Sequence, residues 1–135
     1  MLASGLPEIV ADDEDLARFL TSSSQFSAKA VKAAAFLPSA NNRETSVFRH
    51  GSEPHEALWA IGDEHVAGTR TVYGAAIVRA GDVRLASLEV TADEPPPRHA
   101  VIRGWSWLSG DPELQKAKRK ELAIVIASNA ALLRR

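Results

Sequence analysis

A chain of 135 residues, 45% hydrophobic and 24% charged, has the make-up of one globular domain able to bury a core without disulfides or metal. Its formal net charge of −1, from 16 basic and 17 acidic residues, argues against a protein that coats nucleic acid by bulk charge, although a local basic face stays open. The lack of cysteine excludes a disulfide framework, a Cys-ligated zinc and thiol catalysis.

No apolar run approaches the length of a membrane span and no signal peptide is readable, so the expected compartment is the cytoplasm. Many Ala, Arg and Val beside few Lys suggest a GC-rich bacterial genome.

Residues 1–11 read as a lead-in held by Leu6, Ile9 and Val10. "ADDEDLARFLTSS" reads as a first helix, with Asp12 or Asp13 as cap and Leu16, Phe19 and Leu20 as one stripe, ended by the serines at 22–24. "VKAAAFLP" (31–38) and "TSVFRH" (45–50) read as two strands of a hairpin joined by the turn residues "SANNRE". The clearest helix is "SEPHEALWAIGDEHV", with Ser52 as cap and Pro54 in the first turn. "TVYGAAIV" (71–78) follows as a buried strand, then a helical turn and a short strand at 88–92. The prolines of "DEPPPRH" force the chain out of the sheet before a further strand, "AVIRGWSW". Asp111 and Pro112 then open a last helix, basic early and apolar late. The expectation is one α+β domain over residues 1–135. A mainly antiparallel sheet of four or five strands would carry a central helix (53–67) and a C-terminal helix (111–134).

Two Arg-His pairs are the first chemical candidates. His50 and His99 could act as acid and base on a phosphate ester, with Arg49 and Arg98 on the developing negative charge. "HGS" at 50–52 resembles half of the His-x-Ser/Thr pattern of the two-histidine phosphoesterases, but "HAV" at 99–101 lacks the hydroxyl. The alternative is a pair of loop-end histidines. Metal binding would draw on His50, His55, His65 and His99 with Glu53, Glu56, Asp63 and Glu64. His55 and His65, ten positions apart at about 100° per residue, fall on different sides of their helix, so no metal or cofactor is expected.

The hydroxyl-rich "TSSSQFS" with Lys29 and Lys32 could hold an anion, but it lacks any glycine-rich phosphate cradle and equally reads as a polar loop. Trp105 and Trp107 would share one face of a strand, to anchor a partner or to fill the core. The apolar end of the last segment, with Leu122, Val125, Ile126, Leu132 and Leu133, would bury itself or cover another chain. The cations Lys116, Lys118, Arg119 and Lys120, with Lys29 and Lys32, leave nucleic-acid binding as a further option.

"ARFLTSSSQFS", "ETSVFRHG" and "DEPPPRHAVIRGW" together resemble a group of short bacterial proteins with no established activity. That resemblance implies a compact domain working beside a larger partner and assigns no site. The expectation is therefore a non-catalytic accessory module that meets another protein or a second copy through its C-terminal helix. The alternative is a metal-independent phosphoesterase.

Overall fold

The computed structural model describes residues 2–50, 53–107 and 110–135. Six antiparallel strands form one sheet in the order β4-β5-β2-β1-β3-β6. They are β1 (Asp15–Leu20), β2 (Thr45–Arg49), β3 (Gly74–Arg79), β4 (Glu89–Ala92), β5 (His99–Arg103) and β6 (Ala131–Arg134). Helix α1 (His55–Gly62), which widens into a π-helical turn at Asp63–Ala67, covers one face. Helices α2 (Ala80–Leu85) and α3 (Pro112–Ser128) and a 3-10 turn at Ala33–Ala35 pack on the other. Among the described residues no helix is long and apolar enough to cross a membrane.

Strand alternation divides the core between the two faces. Ala17, Phe19, Phe48 and Ala75 meet Leu58 of α1, whereas Leu16, Leu20, Val47, Ala76 and Val78 meet Ile126 and Ala127 of α3. Helix α1 lies so close to the sheet that a Cβ at Gly62 would stand 2.8 Å from the Phe19 ring. At the start of α3, Asp111 accepts from the Glu113 amide and Pro112 occupies the first turn, as the sequence indicates. Pro54 stands at the N-cap position of α1, without a side-chain cap bond, rather than in the first turn where the sequence reading put it; Ser52, the expected cap, lies outside the described residues.

The α+β class and the antiparallel sheet agree with the sequence reading, but the strand count is higher, for identifiable reasons. Residues 15–20 form a strand, not a helix. β1 sits between β2 and β3 with both faces covered, so its apolar residues run nearly unbroken and imitate a helical stripe. Residues 31–38 form no hairpin strand. Val31 makes one bridge to Phe26, and Ala35 and Phe36 are buried beside α3 on the 3-10 turn. β5 stops at Arg103 because Gly104 takes a φ of 93°. Trp105 therefore turns into the core, while Trp107 packs against the Arg119 guanidinium at 4.0 Å. The last helix ends at Ser128, and residues 131–134 return as β6 along β3, which places Leu132 and Leu133 on a strand.

One buried ion pair joins the N-terminal segment to the sheet. Arg49 has no exposed side-chain surface, donates through Nε and Nη2 to the two oxygens of Glu14 (2.8 and 2.9 Å), and donates through Nη1 to the Pro7 carbonyl (2.6 Å). Burial raises the Glu14 pKa. The Arg49 bond, the Ala11 amide and the Arg49 and Arg84 charges outweigh it, so the carboxyl sits below its ordinary value. Its share of stability is present above the unfolded-state pKa and lost as pH falls through the lowered folded-state value. Glu14→Gln should therefore flatten the acid limb of a stability–pH curve. Glu14→Ala, which strands the buried guanidinium, should cost about 3–5 kcal/mol in urea unfolding. Arg49→Met should cost less, because Glu14 keeps 20% side-chain exposure and can hydrate. Equal costs would show that the lost bonds, and not the stranded charge, set the penalty.

Candidate functional site

The two Arg-His dipeptides meet through their backbones. The Arg49 amide donates to the Arg98 carbonyl (2.7 Å), and the Arg98 guanidinium donates to the carbonyls of Arg49 (2.8 Å) and His50 (3.1 Å) and to the Glu53 carboxylate (3.2 Å). Both guanidiniums are thus engaged inside the protein, Arg49 on Glu14 and Arg98 on the chain that it fastens. The imidazoles part company. His50 lies 6.4 Å, centroid to centroid, from His55, and its Nδ1 is buried without a partner among the described residues. Burial, opposed by the Asp15 charge, holds its pKa below the ordinary histidine value. His99 pairs instead with Phe48 across β2 and β5, and its ring meets the Phe48 ring edge-on at 5.2 Å.

His99 lines a cavity of about 290 Å³ with Arg18, Phe19, Ser46, Phe48, His65, Val66, Arg70 and Pro96. The cavity lies where the β1–β2 ladder parts. Register runs through Leu16↔Arg49 and Ala17↔Phe48 and then stops, so the Ser46 carbonyl accepts from Arg18 Nη1 (2.9 Å). Arg18 Nε donates to the Ala35 carbonyl on the far side (2.8 Å). By alternation Arg18 belongs with Leu16 and Leu20 to the α3 face, yet its guanidinium lies across the opening and lines the α1 side. Burial and then the nearby Arg70 cation lower its pKa, and no carboxylate pairs with either arginine among the described residues. An arginine remains charged under these conditions. The opening therefore presents a cation with unfilled donor capacity.

The opposite wall comes from the π-helical turn. It carries His65 over the sheet, where its ring stacks on Phe48 at 6.1 Å, and it ends at Gly68 with a φ of 57°. Arg70 follows, exposed, with one bond from Nη2 to the Val66 carbonyl (3.2 Å). His99 is held from behind: its Nδ1 lies 2.8 Å from the Asp93 carbonyl and 3.2 Å from the Asp93 carboxylate. A carbonyl only accepts, so Nδ1 carries the hydrogen and Nε2 is left as the second functional atom.

The remaining sequence candidates lie elsewhere. Lys29 and Lys32 are exposed and do not line the cavity. The hydroxyls near them serve the backbone: Ser22 and Gln25 form a capping box around a short 3-10 turn. Leu122 is partly buried, Ile126 is fully buried and Val125 is 42% exposed. Leu132 and Leu133 pack on opposite faces of the sheet. No cluster of three or more metal-ligating side chains occurs among the described residues. Sequence reasoning missed Arg18, His65 and Arg70 as a group. One signal was present, a lone arginine inside the apolar run "LARFL".

Nitrogen-15 NMR of the neutral protein should show His99 as its Nδ1–H tautomer, and Asp93→Ala should mix the two tautomers. An Nε2–H tautomer in the unaltered protein would contradict this geometry. No protein-family model matches the chain, and neither a curated protein nor a solved structure is significantly similar to it, so the functional reading rests on the chemistry of this cavity.

Proposed function

We propose that the chain is a non-catalytic accessory domain of the bacterial cytoplasm that binds a small anionic molecule in the cavity over the β1–β2 opening. The observation that carries this reading is Arg18, a half-buried cation without a carboxylate partner among the described residues, facing a cavity whose lining includes Arg70, His65 and His99 and no carboxylate. Partly withdrawing a charge from water without a counter-ion is costly, and an anion that accepts from Arg18 would offset that cost. The volume suits a small molecule, at the lower end of the usual range for ligand pockets of about 300 Å³ and above. Phosphoesterase action by His50 and His99 has less support, because His50 is outside the cavity lining and both flanking arginines are engaged. Titration of the labelled protein with phosphate and with benzoate should shift the signals of Arg18 Nε–H, Phe48, His65 and His99 together. Arg18→Gln should weaken the binding at least about tenfold, the loss of one charge-assisted contact. Absence of any shift with either anion at roughly 10 mM would remove the reading.

A second reading has its own observation. Leu114, Ile124 and Val125 of α3 are 52%, 51% and 42% exposed, while Ala123, Ile126 and Ala127 face the core. Lys116, Lys118 and Lys120 on the same helix favour a partner protein whose apolar patch is edged by carboxylates. Nucleic acid is a weaker occupant, because Arg119 is engaged with Trp107 and the Ser106 carbonyl. Photo-crosslinking from position 124 should trap one partner, and its affinity should fall with salt and with Val125→Asp. Crosslinks only between copies of the chain would point to self-association instead.

A further inference from the structure

We infer that the anion bound in the cavity is a phosphomonoester with a small apolar ester group, an identification that rests on the anion-binding reading above. Polar groups reach the cavity from three directions: Arg18 from β1, His99 from β5, and His65 with Arg70 from the turn after α1. A carboxylate has two oxygens in one plane and is satisfied by a single guanidinium fork. A phosphoryl group offers three terminal oxygens on different sides, which matches polar groups set around a space.

Charge points the same way. Arg18 and Arg70 supply two fixed positive charges without carboxylate partners among the described residues, and a phosphomonoester near neutral pH carries about 1.5–2 negative charges. Glu64, 3.7 Å from His65 Nε2, and Asp93, 3.2 Å from His99 Nδ1, stand behind the imidazoles and outside the cavity lining. With Nδ1–H held by Asp93, His99 Nε2 is placed to accept a hydrogen bond from a singly protonated phosphate. Apart from Ser46 the rest of the wall is apolar, from Phe19, Phe48, Val66 and Pro96, and takes the ester group rather than a further charge.

Calorimetry on the whole chain at low salt tests this with phenyl phosphate, inorganic phosphate and benzoate as probes. Phenyl phosphate should bind at least about tenfold more tightly than either of the others, and Arg70→Gln should weaken it about tenfold. Arg70 is exposed with a single carbonyl bond, so that variant keeps the test valid should Arg18→Gln fail to fold. Benzoate binding as tightly as phenyl phosphate would overturn the phosphoryl assignment while leaving the anion site standing. Inorganic phosphate binding as tightly would overturn the apolar ester group. Binding of none of the three would end both this inference and the reading beneath it.

Discussion

The fold depends on a buried guanidinium. Arg49 stands at the end of β2 with its head group enclosed by Glu14 and the Pro7 carbonyl, while its backbone bonds to Arg98 at the entry to β5. It thus joins the N-terminal lead, β1, β2 and β5 at one point. A buried ion pair adds little net stability compared with an apolar replacement, and its best-attested use is to specify register. Here the register argument is concrete. A slip of β2 by one residue would turn Arg49 toward the α1 face, away from Glu14, and carry Phe48 out of its contact with Phe19. Both errors leave a charge or a large ring without its complement, so the pair penalises the wrong pairing more than it rewards the right one.

The same clamp places the cavity. It closes the β1–β2 ladder at Leu16↔Arg49, and pairing survives only one further residue pair. Beyond that point Arg18 bridges the strands through its side chain, binding the carbonyls of Ala35 and Ser46 that no strand amide meets there. Buried carbonyls without donors are costly, so the arginine has a structural role that is complete without a ligand. Its charge, however, is in excess of that role. Neutral donors would satisfy two carbonyls equally well, and the surplus faces a space walled by two imidazoles and a second guanidinium.

Much of the architecture could be read from the residues, and the failures share a cause. β2, β4 and β5, the central helix and the capped start of α3 carry signals that are local: alternation, a proline, an aspartate before it. β1 and β6 depend on what lies beside them. "DLARFL" is helical by spacing and a strand only because β2 and β3 flank it, and "ALLR" leaves the helical run because β3 has a free edge for it to pair with. The site shows the same division. The nearness of the two Arg-His dipeptides was legible as a question, and His99 does line the cavity. That His65, rather than His50, shares Phe48 with it follows from strand parity and a widened helical turn, neither of which spacing along the chain encodes.

Charge placement, not charge content, distinguishes the cavity. At a formal net charge of −1, with 17 acidic and 16 basic residues, the chain has more than enough carboxylates to match every Lys and Arg. The fold distributes them unevenly: Arg49 meets Glu14, Arg84 meets Asp12, Arg98 meets Glu53, Arg103 meets Glu44 and Arg135 meets Asp63. Arg18 is boxed between β1, β2 and the 3-10 turn, where its neighbours are carbonyls and the Arg70 cation. An exposed lysine without a partner is solvated by water at little cost, as Lys29 and Lys32 are. Arg18 has less of that recourse, because it is half-buried and the strand and turn carbonyls that hold it take part of its guanidinium out of water. An anion entering there therefore meets a less hydrated cation, and gains more than it would from the same charge on an open surface.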